Sequence, residues 1–359
     1  GCLGYSLRAD LKGMLKNMKK ILITGINGFI GTHLLEALCR DGKWEVQGFD
    51  LRSDNLGPFM DHPNFKFTAG DIFKDGKWLE EQVGSSDIVL PLAGIAKPAY
   101  YLQKPIWTFE LDFEQNLKMV RLCSKYKKRI IFPSTSEVYG MSGDSSLKED
   151  ESPLITGPIN KMRWIYSCSK QMMDRLIFAY GQEEGLSFTL FRPFNWVGPR
   201  LDTFRDASEN KARSVTQMIY NVLNSGKISL VNGGEQRRSF TWVGDGIEGL
   251  AAIIENKDNK AEGQIFNIGN PDNNYSIREL AEMLIDEMKK FPVYREKAEK
   301  AELEIISADA YYGKTYDDMQ NRLPSVEKME TLLGWKPRTG MRELLNRTIS
   351  WYADRENLD

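Results

Sequence analysis

The stretch Lys19 to Gly31, "KKILITGINGFIG", constrains the fold more than any other. A short aliphatic run enters a glycine-rich turn, and the residues that follow, "GTHLLEALCRD", place apolar side chains three and four apart. A strand that passes through such a turn into an amphipathic helix opens a βαβ unit. The same alternation continues through "WEVQGFD", "FKFTAGD", "DIVLPLAG", "RIIFPST" and "SFTLFRP", with helical segments such as "WTFELDFEQNLKMVRLCSKY" between them. Strands apolar on both faces imply a parallel sheet covered on both sides. The expected fold class is α/β, a Rossmann-type doubly wound parallel sheet with a smaller C-terminal α/β substrate domain. The expected boundaries are an extension over 1–17, with a natural start near Met18, then the Rossmann domain over 18–196. The second domain, over 197–359, is expected to return some segments to the first. The Lys/Glu-rich run "REKAEKAELE" reads as a solvated helix face.

Composition narrows the function classes. A net charge of -2 over 359 residues gives no general attraction to nucleic acid or an anionic membrane surface. No apolar window reaches the roughly 18 residues that span a bilayer. The cysteines are Cys2, Cys39, Cys123 and Cys168, none in a CxxC pair, and there are two histidines. Neither a metal site nor a disulfide framework is therefore expected, and a reducing cytoplasm is the expected compartment.

The glycine turn, Gly25-Ile26-Asn27-Gly28-Phe29-Ile30-Gly31, gives a tight turn and close backbone approach to a pyrophosphate, which the helix N-terminus then faces. A second strand ends at Asp50, at the distance expected of the acid that accepts from a ribose 2′-hydroxyl. That carboxylate repels a 2′-phosphate, so NAD is the expected cofactor rather than NADP, although Arg52 stands nearby. Asp71, in "GDI", is placed to meet the adenine edge. Ile72, Leu92 and Ala93 complete the expected lining.

This GxxGxxG spacing resembles the short-chain dehydrogenase/reductase superfamily. The resemblance implies a Tyr-x-x-x-Lys pair, which Tyr166 and Lys170 supply in "YSCSK". Residues four apart share one helix face, so the Lys170 ammonium is expected to draw the Tyr166 phenol down toward neutrality. Tyr166 then serves as the base that removes a hydroxyl proton. "LFRPFNWVGPR", "NGGEQRRSF" and "NIGNP" resemble the extended branch of the superfamily, which acts on nucleotide sugars. That resemblance implies that Asn195 contacts the sugar or its diphosphate and that Arg238 pairs with the diphosphate, Arg237 assisting. A lysine usual ahead of the glycine pair is here Ser229; either a diphosphate contact is lost there or Lys227 replaces it.

From Met18 to the C-terminus, "FPSTSEVYG", "RWIYSCSKQ" and "YYGKTYDDMQNRLPS" resemble the UDP-glucuronic acid oxidative decarboxylases. Within that family the chain resembles the decarboxylase module of the bacterial lipid A 4-amino-4-deoxy-arabinose pathway, and a stand-alone module without the formyltransferase domain is expected. Dehydratases of the branch carry Asp-Glu where this chain has Ser136-Glu137, and a serine cannot protonate a leaving hydroxyl at neutral pH. The likeness implies UDP-glucuronic acid as substrate and UDP-4-keto-pentose, carbon dioxide and NADH as products. By the same likeness Tyr166, Lys170, Thr135, Ser136, Glu137 and Arg322 are catalytic. Ala96, Tyr101, Thr135, Ser136, Arg163, Asn195, Arg238, Tyr316 and Arg322 contact substrate. Glu137 is the expected proton acceptor, with its pKa raised by burial and by the substrate carboxylate. Arg322 is the acid side of the step or orients the carboxylate and a water. A homodimer or higher homo-oligomer, paired through the helix before Lys125 and the Tyr-x-x-x-Lys helix, is also implied. Three other outcomes stay open on the residues alone. The hydride returns to C4 to give UDP-xylose, the ring contracts as in UDP-apiose/xylose synthases, or the fold only binds a nucleotide sugar. Ala96 and Ser136, where the apiose enzymes carry cysteines, argue against the second. The retained Tyr166 and Lys170 argue against the third.

Overall fold

The computed structural model describes residues 18–307 and 319–354. Seven strands form the main sheet: β1 (Lys19–Thr24), β2 (Trp44–Asp50), β3 (Phe65–Ala69), β4 (Ile88–Pro91), β5 (Arg129–Pro133), β6 (Phe188–Pro193) and β7 (Gln264–Ile268). The principal helices are α1 (Phe29–Asp41), α2 (Gly76–Ser85), α3 (Asn116–Tyr126), α4 (Trp164–Glu184), α5 (Ser214–Asn224), α6 (Val243–Glu255), α7 (Ile277–Met288) and α8 (Met341–Ala353). All neighbouring strands of the sheet run parallel, in the order β7-β6-β5-β4-β1-β2-β3. The chain therefore winds one way from β1 to β3 and the other way from β4 outward. The crevice at the carboxyl ends of β1 and β4 is the switch point where such sheets bind ligands.

Burial follows from the aliphatic runs. Ile21, Leu22 and Ile23 of β1 are fully enclosed. Ile21 and Ile23 pack with Leu34, Leu35 and Leu38 of α1 and with Ile247, Leu250 and Ile254 of α6. Leu22 faces the other layer, made by Val83 of α2, Val120 of α3 and Met173 and Ile177 of α4. A separate core gathers Val215 and Ile219 of α5, Leu280 and Leu284 of α7, and Leu344 and Ile349 of α8. Although α6 and β7 come after residue 197, both belong to the main sheet's layers.

Two elements differ from the sequence reading. "REKAEKAELE" is split: a helix spans Pro292–Glu299, and Glu302–Ile306 is a strand paired parallel to Lys227–Val231. The period-two alternation of "ELEII" supports that strand, but its partner lies far away in sequence. The segment expected as one long helix is interrupted by a π turn at Glu110–Gln115, between a short helix over Pro105–Phe109 and α3. No helix among the described residues is long and apolar enough to cross a membrane.

Candidate active site

The glycine turn sits at the switch point. Gly25 has φ +73°, and a Cβ there would stand 2.5 Å from the Ala93 backbone nitrogen at the end of β4. At Gly31 a Cβ would come within 2.5 Å of the Ile26 carbonyl oxygen, so only glycine lets the first turn of α1 pack against the loop. Gly28 is the N-cap of α1, leaving the backbone N–H groups around Phe29 and Ile30 at the helix start, as an anion site requires. Asp50 ends β2 beside this turn. Its carboxylate accepts from the Asn27 N–H at 2.9 Å and the Leu51 N–H at 2.7 Å. Burial raises its pKa against the opposing backbone N–H groups. Arg52 pairs with Asp54 at 3.1 Å. Asp71 accepts from the Phe73 N–H and pairs with Lys74 at 3.1 Å, which holds its carboxylate ionised. Ile72 packs at the edge of the second layer's core, and Leu92 against the first. Glycines at the strand–helix turn, an unspent helix N-terminus and the Asp50 acid at the end of β2 together fit NAD.

Tyr166 and Lys170 lie one turn apart in α4, both buried. The Lys170 Nζ donates to the Pro133 carbonyl at 3.0 Å and stands 3.6 Å from Asp112 Oδ1. Tyr166 bonds the Thr135 hydroxyl, and its ring stacks on Tyr101 with centroids 4.4 Å apart and planes 6° from parallel. Thr135 caps the short 3-10 turn Ser136–Tyr139, its hydroxyl accepting from the Glu137 N–H. That cap re-aims the chain at the end of β5 and sends Ser136 and Glu137 inward.

Two arginines clamp Glu137. The Arg163 Nη2 meets Oε2 at 2.6 Å, and the Arg322 Nη2 meets Oε1 at 2.5 Å. Arg322 also donates from Nη1 to the Ser136 Oγ at 3.4 Å. The backbone beside Arg322 is pinned by Leu147, whose N–H donates to the Leu323 carbonyl and whose carbonyl accepts from the Ser325 N–H. Arg238 is buried and donates to the Met319 and Arg237 carbonyls. Asn195 adopts φ +38° and donates to the Ser239 carbonyl at 3.1 Å. Ala96 is exposed on the loop after β4. Tyr316 lies outside the described residues.

Several expectations need correction. Glu137 does not hold a raised pKa here. Burial pushes it up, but the charges of Arg163, Arg322 and Arg238 outweigh burial and hold it below the usual carboxylate range. Tyr166 is not drawn toward neutrality. Burial raises it strongly, the Asp112 carboxylate adds to the rise, and the Thr135 bond only partly opposes them. Arg237 turns away from the site to Glu279 at 3.0 Å and to Asn274. Lys227 pairs with Glu304 at 3.6 Å on the paired strands, so it does not replace the missing lysine.

Sequence reasoning missed Asp112. Its signal was present, because "FELDFEQN" places an acid on the buried face between Phe109 and Phe113.

Comparison with known proteins places the chain. A profile of the NAD dependent epimerase/dehydratase family matches residues 21–269. The chain belongs to this family. The fold is also similar to that of the PbgP3 protein from Burkholderia pseudomallei, at 44% identity and a TM-score of 0.85 over 94% of this chain and 97% of that one. More distant likenesses bear on the fold alone. A UDP-glucuronic acid 4-epimerase from Bacillus cereus, solved with UDP-glucuronic acid and NAD, is 23% identical with a TM-score of 0.77 over 93% of this chain and 99% of that one. A dTDP-glucose 4,6-dehydratase from Bacillus anthracis, solved with NAD, is 22% identical with a TM-score of 0.75 over 94% of this chain and 97% of that one. The protein is thus an NAD-dependent enzyme of the epimerase/dehydratase type.

Proposed function

We propose that this enzyme oxidises UDP-glucuronic acid at C4 and releases its carboxyl carbon, giving a UDP-4-keto-pentose, carbon dioxide and NADH. The observation that carries this reading is the Arg163–Glu137–Arg322 cluster, buried beside Tyr166 and Ser136. Guanidinium forks suit a carboxylate, and the two arginines that clamp Glu137 gather the positive charge that a second, substrate carboxylate needs beside it. Where a dehydratase needs an acid to expel the C6 hydroxyl, the chain has Ser136. A uronate has no C6 hydroxyl to expel.

We assign to Tyr166, bonded to Thr135, the C4 hydroxyl proton; the positive charge of bound NAD would join the Lys170 ammonium against the burial that raises the phenol. Bound NAD supplies the hydride acceptor. A ketone at C4 makes the C6 carboxylate a β-keto acid, so carbon dioxide leaves as its bonding electrons pass into an enolate on the C4 oxygen. Thr135, Ser136 and Tyr166 carry the O–H donors for that oxygen as charge develops. A substrate carboxylate entering the cluster adds a second negative charge, which raises Glu137 from its depressed state and lets it carry a proton. Arg322 stays charged and orients the leaving carboxylate. The proton lost from the C4 oxygen equals the one gained at C5, so the pentose forms without net proton release.

Mass spectrometry of the nucleotide sugar made from UDP-glucuronate and NAD tests this reading. The expected product is lighter by one carbon dioxide and two hydrogens. Recovery of a UDP-uronate epimer, or of unreacted substrate, would overturn the proposal.

A further inference from the structure

Asp112 has no part in the chemistry so far, yet it is the carboxylate nearest the catalytic ammonium. Its side chain is fully enclosed, 3.6 Å from the Lys170 Nζ. The Ile95 N–H donates to both of its oxygens, at 3.1 and 3.3 Å. A Cβ at Gly94 would stand 2.5 Å from its Oδ1, so the loop after β4 closes directly over it. The π turn aims the residue inward. Asn116, four residues on, donates to the Asp112 and Leu111 carbonyls and to the Ala93 carbonyl, tying the widened turn to the same loop.

Packing does not need an acid here. Lys170 already has a carbonyl partner in Pro133, and burying a carboxylate is costly unless it is paired. We infer that Asp112 is a positioning residue for the Tyr166–Lys170 pair: its carboxylate offsets the Lys170 ammonium and so governs how readily Tyr166 gives up its proton. Carboxylate and ammonium point opposing fields at the phenol. With the carboxylate neutral, the ammonium acts alone. Burial raises Asp112 to about 6, the Lys170 charge opposing the rise, so its own protonation falls close to working pH. The other groups that face the pair are Glu137 from the turn after β5, Tyr101 from the helix over Pro98–Gln103, and Arg163 at the start of α4. Asp174, one turn beyond Lys170, is engaged by Arg192 and Ser134. An Asp112 substitution leaves all of these in place.

The inference rests on the proposed role of Tyr166, and its test separates the two. In the NAD-bound enzyme, Asp112→Asn keeps an acceptor for the Ile95 N–H and removes only the charge. The acid limb of the kcat/KM profile is expected to move down by roughly one pH unit or more. The Tyr166 resonance of carbon-13 tyrosine-labelled holoenzyme, followed by NMR without substrate, is expected to titrate lower by the same amount. Asp112→Ser, a smaller neutral residue, should show the same shift should the first variant fold poorly. An unchanged or raised Tyr166 titration in either folded variant would overturn the inference. Were the wild type to release no carbon dioxide, the functional proposal would fall while the tyrosine titration still reported on Asp112.

Discussion

At the scale of single residues, charge state is set by partners that sequence order conceals. Glu137 meets Arg163 from 26 positions away, and Arg322 reaches Ser136 from 186 positions away. Each residue could be named from its motif, but the sign of the Glu137 shift could not. It depends on two buried guanidiniums arriving together. The same holds for Tyr166, whose environment includes a carboxylate from another helix. One consequence is measurable. Because the folded-state pKa of Glu137 is depressed, its pairing stabilises the fold above the ordinary carboxylate value and is lost as pH falls through the depressed one. Glu137→Gln removes the charge that Arg163 and Arg322 clamp and should cost roughly 3–5 kcal/mol at neutral pH. Thermal melts should show the gap to wild type narrowing below about pH 4. A gap that stays constant into acid would show that the pairing adds nothing.

Elements were more legible than charges. Each strand of the main sheet came from an apolar run a few residues long, because a strand buried on both faces announces itself by composition. The glycine turn was legible for a related reason. Only glycine tolerates the Gly25 φ of +73° under β4, and only glycine leaves room at Gly31. Gly31→Ala should cost about 1–3 kcal/mol by overpacking and weaken NAD binding more than it lowers the melting temperature. Calorimetric titration with NAD checks this, and unaltered affinity would contradict the placement of the loop. The strand Glu302–Ile306 was not legible, since a charged, alternating segment becomes a strand only when Lys227–Val231 offers it an edge. The π turn was equally hidden, because its cause is the tie from Asn116 to the loop after β4.

At the scale of the whole molecule, the sheet brings three distant segments to one crevice: the turn after β1, the turn after β5 and the backbone around Arg322. The solvent side of α4 exposes Cys168, Met172 and Phe178. We propose that two copies pair there, through α3 and α4. Sedimentation should give a dimer, and Phe178→Asp should shift it toward monomer without altering the NAD site. A wild type that sediments as a monomer at every concentration would count against the pairing. Loss of the carboxyl carbon is read from UDP-glucuronate carrying carbon-13 at C6, incubated with enzyme and NAD while labelled carbon dioxide and NADH are counted together. The two are expected in equal amounts. NADH without labelled carbon dioxide, or label retained in the sugar, would overturn the proposed function.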